Sequence, residues 1–175
     1  IDAGIENCYD YLKQFGFSTL EDGDWINGMW MSDIGPSTAL GGLTTGVTQL
    51  EVTAAYGTIA NGGGYQQPMF YTKVLDHDNN VILEAVQERD SRVVLKSTTA
   101  YILTDMMKDV LTRGTGGKAA FRETKMAVAG KTGTSTNTKD LTFVGYTPYY
   151  TAGIWLGHDK DKYITEDAGH HMVIW

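Results

Sequence analysis

Four consecutive residues, Lys131-Thr132-Gly133-Thr134, bring together a cation, two hydroxyls and a residue without a side chain. They lie within Met126–Ser135, a segment with apolar residues at its start that predicts a β-strand. Because side chains alternate between the two faces of a strand, Lys131 and Gly133 are expected on one face and both threonines on the other.

This combination suits the recognition of an anionic substrate by a strand edge. The Lys131 ammonium would provide positive charge near the substrate and near a serine that has to be activated. Gly133 would let the substrate backbone approach closely. The threonine hydroxyls can bind a carboxylate, and the strand edge can accept the substrate as an additional strand.

Apolar residues at helical spacing predict three helices that support this strand. The first covers residues 5–15, and its apolar stripe includes Cys8, the only cysteine, which we expect to be buried. The second begins at a capping box, Thr48–Glu51, and ends at Asn61–Gly64. Ser97 is predicted to cap the third, with an inner face formed by Ala100, Leu103, Met107, Val110 and Leu111.

The rest of the chain reads as strands, turns and one long loop. Residues 18–47 predict an ordered loop with a short helical turn near Ser18–Glu21, and a loop of that length usually has a function. Two strands, Pro68–Leu75 and Val81–Ala85, are joined by turn residues 76–80. Short connections favour antiparallel pairing among the last three strands, Met126–Ser135, Leu141–Thr147 and Tyr150–Gly157.

Several ordered blocks of this sequence resemble class A, bifunctional penicillin-binding proteins, whose signatures include K-T-G. The resemblance covers nearly the whole chain. The blocks, in chain order, are Gly41–Thr48 followed by Ala54–Gly57 and Ala60–Gly63; Gly114-Thr115-Gly116 with Ala119 and Ala120; Lys131–Ser135 followed by Asp140 and Phe143–Pro148; Ile154–Gly157; and Val173–Trp175.

The resemblance implies an α/β fold, an antiparallel sheet flanked by helices as in β-lactamases and transpeptidases. It implies that residues 1–175 are the C-terminal part of a single transpeptidase domain, incomplete at both ends. The implied activity is that of a D,D-transpeptidase, which cross-links peptidoglycan stem peptides ending in D-Ala-D-Ala through a serine acyl-enzyme and is acylated by β-lactams. The implied location is extracytoplasmic, at the outer face of a bacterial cell membrane, with the anchor outside these residues.

The same resemblance assigns roles within the motif. Lys131 and Thr134 are the implied catalytic residues, since Lys131 lies beside the serine and the Thr134 backbone N–H is one donor of the oxyanion hole. Thr132, Gly133 and Thr134 are the implied substrate-binding residues. No cofactor and no metal are implied.

The chain departs from the family pattern at the nucleophile. No serine precedes a lysine by three residues, so the S-x-x-K motif is missing. Thr115–Lys118 and Thr136–Lys139 have that spacing with threonine, which we interpret as coincidence. Ser135-Thr136-Asn137 spells the second motif, S-x-N, but follows K-T-G-T directly, whereas in the family S-x-N lies well before it. We therefore expect both motifs upstream of Ile1, the missing N-terminal part of the domain as a partner, and no activity from this fragment alone.

Other patterns have simpler interpretations. Asp76-x-Asp78-x-Asn80 opens like a calcium loop but lacks the glycine and glutamate that such a loop requires, which favours a hairpin turn. His170-His171 lacks an evident third ligand. Gly116-Gly117-Lys118 lacks the leading glycine of a phosphate loop. Four aromatic residues are candidates for a glycan groove or, more commonly, for packing: Trp25, Trp30, Tyr65 and Tyr71.

Composition and charge exclude some functions. The net charge of -7 argues against nucleic acid and against contact between this segment and an anionic membrane. No apolar run approaches the roughly 20 residues that span a bilayer. Two alternatives to a transpeptidase remain: a serine β-lactamase on the same fold, and a non-catalytic module that binds or scaffolds cell wall.

Overall fold

A three-stranded antiparallel sheet lies at the centre of the fold. The computed structural model describes residues 4–121, 123–160, 162–164 and 169–175. The sheet has the order β7 (Ala129–Thr134), β8 (Asp140–Tyr146) and β9 (Thr151–Gly157), so the antiparallel prediction is confirmed, although β7 begins three residues later than expected. Because β8 is central, β7 is an outer strand, and within the described ranges no further strand pairs with it.

Helices flank this sheet, as an α/β fold with an antiparallel sheet requires. The described helices are α1 (Ile5–Gln14), α2 (Gln49–Ala60), α3 (Ala85–Glu88), α4 (Ser97–Thr112) and α5 (His170–Ile174). Helix α2 packs against β8 and β9, α4 packs against β7, and α5 packs against β8 and β9. None of the helices in the described part of the chain has both the length and the hydropathy needed to cross a membrane.

Of three specific predictions made for the helices, one is confirmed and two are wrong. The capping box of α2 is confirmed, since the Glu51 backbone N–H donates to Thr48 Oγ1 at 3.2 Å and the Thr48 N–H donates to Glu51 Oε2 at 3.0 Å. The prediction that Ser97 caps α4 is wrong, because Ser97 is already the first helical residue and Lys96 occupies the capping position. The prediction of a buried Cys8 is also wrong: α1 buries only Tyr9, and Cys8 is exposed.

The long segment 18–47 is more regular than the sequence predicted. It contains a hairpin of β1 (Asp24–Ile26) and β2 (Met29–Met31), and a 3₁₀ helix, Pro36–Leu40. The expected helical turn at Ser18–Glu21 is absent. Both the backbone N–H and the hydroxyl of Ser18 donate to Glu51 Oε1, at 2.9 and 2.7 Å, and this long-range contact replaces the local turn.

Two further pairs of antiparallel strands occur between α2 and α4 in the sequence. The hairpin of β4 (Lys73–Leu75) and β5 (Val81–Glu84) was predicted, but only the last three residues of Pro68–Leu75 form its first strand. The Asp76 carboxylate closes its turn by accepting hydrogen bonds from Asp78 and Asn80, which confirms a turn at this position. The pair β3 (Gly64–Gln66) and β6 (Ser91–Val93) was not predicted, because its strands are short and distant in sequence.

The core beneath the outer strand is centred on Phe143, which is fully buried. Leu111 of α4, Ala119 and Val128 pack with it in one apolar cluster. The ring of Trp175 meets Phe143 edge to face, with centroids 5.0 Å apart. Since Phe143 pairs with Thr132 across the β7–β8 ladder, this core directly supports the motif strand.

Candidate functional site

The motif lies where β7 leaves the core. Ala129 and Gly130 are buried, Lys131 is exposed, and Thr132 and Gly133 are half-buried. A Cβ on Gly130 would lie 2.7 Å from the Phe143 ring, so only glycine allows the strand to lie this close to the core. The strand thus holds Lys131 and the three residues after it at the protein surface on a rigid support.

Glycine is also needed at position 133, where β7 lies close to a side chain of β8. Gly133 pairs with Thr142 on β8, and a Cβ at Gly133 would lie 2.4 Å from Thr142 Oγ1. Glycine at this position therefore leaves room for the Thr142 hydroxyl beside its Cα. A substrate backbone could lie against β7 here without meeting a Cβ on Gly133 itself.

A cleft of about 980 Å³ begins at Gly133. One wall comes from the sheet and the turn after β7, and the other comes from the segment between the 3₁₀ helix and the first turns of α2. The sheet wall consists of Gly133, Thr134, Ser135, Thr136, Asp140, Thr142 and Trp155, and the facing wall includes Ser37, Leu40–Leu43, Thr45–Val47, Gln49 and Val52.

Trp155 supplies the largest side chain of the sheet wall. It pairs with Thr142 across the β8–β9 ladder, so Gly133, Thr142 and Trp155 form one row across three strands. The Trp155 indole N–H donates to Asp140 Oδ1 at 3.0 Å, which fixes the ring. This row places a glycine, a hydroxyl and an aromatic ring side by side across the floor of the cleft.

Two carboxylates hold the facing wall in place. Asp33 is buried, and it accepts the Glu21 N–H on Oδ2 at 2.9 Å and the Thr44 N–H on Oδ1 at 2.7 Å. Glu51 accepts from Ser18 and Thr48 as described above. The segment around Gly46 is also tied to Thr19, whose hydroxyl donates to the Gly46 carbonyl at 2.6 Å.

These hydrogen bonds set the charge state of both carboxylates. Burial alone would raise the pKa of Asp33, but the hydrogen bonds from Glu21 and Thr44 outweigh it and hold the pKa below its ordinary value. Burial likewise opposes ionisation of Glu51, and the hydrogen bonds from Ser18 and Thr48 lower its pKa. Both groups are therefore anions near neutral pH, with backbone and hydroxyl donors rather than cations as partners.

The four motif residues do not all reach the cleft. Gly133 and Thr134 line it, whereas Lys131 curls back over its own strand, donating to the Thr132 carbonyl at 2.8 Å and lying 3.4 Å from Thr132 Oγ1. The Thr132 hydroxyl lies 2.7 Å from that of Thr115. Sequence reasoning did not assign a role to Thr115, although the Gly114-Thr115-Gly116 pattern marked its turn.

The remaining sequence candidates lie elsewhere. The Ser135 hydroxyl accepts the Asp140 N–H at 2.8 Å, so it closes the turn between β7 and β8. Tyr65 is buried, and its ring contacts the Arg92 guanidinium at 4.4 Å, whereas Trp25 and Trp30 form an exposed pair on the β1–β2 hairpin. In the described ranges, no three histidine, cysteine, aspartate or glutamate side chains are grouped so that they could hold a metal ion.

Comparison with known sequences identifies similar proteins. The family model described as penicillin binding protein transpeptidase domain matches residues 2–162. Penicillin-binding protein 1A of Clostridium perfringens is 34% identical over 173 residues, which is 96% of this chain and 24% of that protein. Penicillin-binding protein 1A of Clostridium acetobutylicum is 40% identical over 125 residues, 71% of this chain and 15% of that protein. The chain thus spans less than a quarter of the length of these curated relatives.

Solved structures share the fold at lower sequence identity. The penicillin-binding protein PonA1 of Mycobacterium tuberculosis matches all of this chain and 49% of its own, with a TM-score of 0.77 and 21% identity. PonA1 has also been solved in complex with penicillin V. Penicillin-binding protein 1A of Haemophilus influenzae matches 98% of this chain and 29% of its own, with a TM-score of 0.70 and 18% identity.

Proposed function

Because the chain belongs to the penicillin-binding protein transpeptidase domain family, we propose that residues 1–175 are the C-terminal part of one D,D-transpeptidase domain. The observation that carries this proposal is the position of Gly133 on an outer strand, beside a cleft and without a side chain of its own. A peptide can add to such a strand through main-chain hydrogen bonds. The serine nucleophile would belong to the rest of the protein, since no S-x-x-K serine occurs here.

The reaction proceeds through a serine ester. The serine oxygen attacks the carbonyl carbon between the two D-alanines of a stem peptide and gives up its proton to a base. The peptide bond breaks, and the terminal D-alanine leaves after its nitrogen takes up a proton. An amine of a second stem peptide then attacks the ester carbonyl, the new peptide bond forms, and the serine oxygen regains a proton.

Within this scheme each motif residue has a defined task, and Thr134 has two. The Lys131 ammonium stabilises negative charge that develops near the serine. The Thr134 backbone N–H donates to the oxyanion of the tetrahedral intermediate, and its hydroxyl, with that of Thr132, binds the terminal carboxylate. Gly133 leaves room for the substrate backbone. The cleft floor beside Gly133, formed by Thr142 and Trp155, then borders the bound peptide.

β-Lactams are the second class of ligand in this proposal. They present a reactive carbonyl and a carboxylate in a similar relative position, so they acylate the same serine. The complex of PonA1 with penicillin V supports this for a protein of the same fold. Stem peptides are built into the cell wall outside the bacterial membrane, so the proposed site of action is extracytoplasmic.

Acylation by a labelled penicillin tests this function in the longer protein that carries this chain. We expect one label per protein molecule, a slowly hydrolysed adduct, and cross-linked product from stem-peptide substrates. Rapid turnover of the penicillin without cross-linking would instead identify a β-lactamase. The absence of any adduct on folded protein would support a non-catalytic module.

The 175-residue chain by itself is the negative control. With Lys131 and Thr134 present but no S-x-x-K serine, it should form no covalent adduct when its intact mass is measured after incubation with penicillin. A stoichiometric mass increase on any serine, including Ser135, would show that the nucleophile lies within these residues.

A further inference from the structure

The hydroxyls of Thr115 and Thr132 form a contact that joins two distant parts of the chain. Their Oγ1 atoms lie 2.7 Å apart, a normal hydrogen-bond distance for two hydroxyls, and either could be the donor. Thr132 belongs to the motif strand, whereas Thr115 lies 17 residues earlier, in the turn that follows α4. The Lys131 ammonium lies 3.4 Å from the same Thr132 oxygen.

The backbone around Thr115 is fixed by close packing on both sides. The Gly116 N–H donates to the Val110 carbonyl at 2.8 Å, and a Cβ on Gly114 would lie 2.9 Å from Val110 Cα. A Cβ on Gly116 would lie 3.4 Å from the Phe143 ring. Glycines on either side therefore let the turn press against α4 and the core.

Phe143 supports both ends of this contact. It pairs with Thr132 in the β7–β8 ladder, and its ring borders Gly116 next to Thr115. Because Phe143 is fully buried, the turn at Gly116 and the strand at Thr132 both adjoin the same core residue. Their separation is consequently set by the core rather than by two freely moving surface residues.

The role open to Thr115 depends on the protons and lone pairs of the three groups. A threonine hydroxyl has one proton to donate and two lone pairs, and an ammonium can only donate. If Thr132 donates to Thr115, its single proton is used and cannot be donated to the substrate carboxylate. If Thr115 donates instead, Thr132 Oγ1 accepts from Thr115 and Lys131, and its own proton stays available for the substrate.

We propose that Thr115 is a positioning residue that donates to Thr132 Oγ1 and so directs the Thr132 proton toward the substrate carboxylate. This inference rests on the proposed function, in which Thr132 binds that carboxylate. Thr115 acts through Thr132 and touches no reacting atom. The Gly-Thr-Gly turn would then contribute to carboxylate recognition as well as ending α4.

The test compares two ligands that differ only in the carboxylate. Second-order acylation rates of the longer protein are measured with a fluorescent penicillin and with its methyl ester, for wild type, Thr115→Val and Thr115→Ser. Losing one hydrogen bond of this kind should lower the penicillin rate of Thr115→Val by roughly 3- to 10-fold. The ester rate should stay within error of wild type, and Thr115→Ser should restore the penicillin rate.

Matched controls separate positioning from folding. Thr112→Val removes an exposed hydroxyl at the end of α4 that donates to the Lys108 carbonyl at 3.3 Å and also hydrogen-bonds the Asp109 carboxylate, both within its own helix, and it should leave both rates unchanged. Circular dichroism and thermal unfolding check each variant, and Thr115→Ala replaces Thr115→Val if the latter misfolds. Equal losses for penicillin and ester, or no loss for either, would overturn the role of Thr115. A wild-type protein that is not acylated at all would instead overturn the proposed function.

Discussion

Gly133 and Thr142 face each other across the β7–β8 ladder so closely that a Cβ on Gly133 would lie 2.4 Å from Thr142 Oγ1. The site therefore depends on glycine for two reasons, room for the Thr142 hydroxyl and room for a ligand. These reasons can be separated experimentally, because the first disappears when the Thr142 hydroxyl is removed.

Gly133→Ala should lower the acylation rate by penicillin by about 10-fold or more, because the new methyl group crowds both Thr142 and the ligand backbone. In Gly133→Ala combined with Thr142→Ala, the internal overlap is relieved, so the melting temperature should recover toward that of Thr142→Ala. The acylation rate should remain low if the ligand approaches at Gly133. Recovery of both quantities would mean that Gly133 serves only the packing of the sheet.

Lys131→Ala should lower the acylation rate by about 10²–10³, the usual cost of losing one preorganised electrostatic contact at a reacting centre. The fold should survive, because Lys131 is exposed. Lys118→Ala is the matched control, since Lys118 is also exposed but lies in the turn before β7. Second-order rates with a fluorescent penicillin, with circular dichroism as the folding check, decide the outcome. A folded Lys131→Ala protein that reacts like wild type would remove Lys131 from the mechanism.

Thr134→Val should have a smaller effect than Lys131→Ala. The substitution removes one hydroxyl available to the ligand carboxylate, but the backbone N–H proposed for the oxyanion hole remains. We expect a loss of roughly 3- to 10-fold in the acylation rate, as for a single hydrogen bond. A loss as large as that of Lys131→Ala would show that the hydroxyl itself, rather than the backbone, carries the main role of Thr134.

Phe143→Ala should destabilise the domain by about 3–5 kcal/mol, because it leaves a cavity beneath β7 that the surrounding core fills only in part. Phe70→Ala is the control, since Phe70 is 85% exposed and its truncation creates no cavity. Urea unfolding gives the two free energies. The same core variant should also weaken the Thr115–Thr132 contact, so a stable Phe143→Ala protein would contradict the support that we assign to this ring.

Asp33→Asn should destabilise the protein at pH 7 by about 1–3 kcal/mol, the cost of weakening two buried hydrogen bonds to a charged acceptor. In wild type the pKa of Asp33 is lowered in the folded state, so its contribution is present above the unfolded value of about 3.9 and is lost as the pH falls toward the folded pKa. The difference between wild type and Asp33→Asn should therefore shrink below about pH 4. Asp24→Asn, an exposed neighbour on the same segment, should show neither effect.

Denaturation at several pH values measures this difference. The substitution should also loosen the cleft wall, because the Asp33 carboxylate accepts hydrogen bonds from both Glu21 and Thr44. Hydrogen exchange of the Thr44 amide should accelerate in Asp33→Asn at pH 7. An unchanged exchange rate would mean that the Thr19–Gly46 contact is sufficient to order the segment.

Local patterns predicted much of the fold. The capping box at Thr48–Glu51, the hairpin turn at Asp76 and the last three strands are all confirmed, because each depends on residues close in sequence. The predictions that failed concern residues whose partners are distant in sequence. The helical turn expected at Ser18–Glu21 does not form, because Ser18 hydrogen-bonds a residue 33 positions away in the chain. Strands β3 and β6 are too short to be predicted from their own sequences without knowledge of their pairing.

The sequence alone determined the chemistry that the motif can offer: a cation, two hydroxyls and an open backbone position on one strand, together with the absence of an S-x-x-K serine. Only the tertiary structure decided which groups meet that strand. The Thr115–Thr132 contact, the row of Gly133, Thr142 and Trp155, and the wall held by Asp33 all join residues that are distant along the chain. Propensity and spacing act over a few residues, whereas these contacts arise when Phe143 and its neighbours pack into one core, which fixes separations that no local pattern encodes.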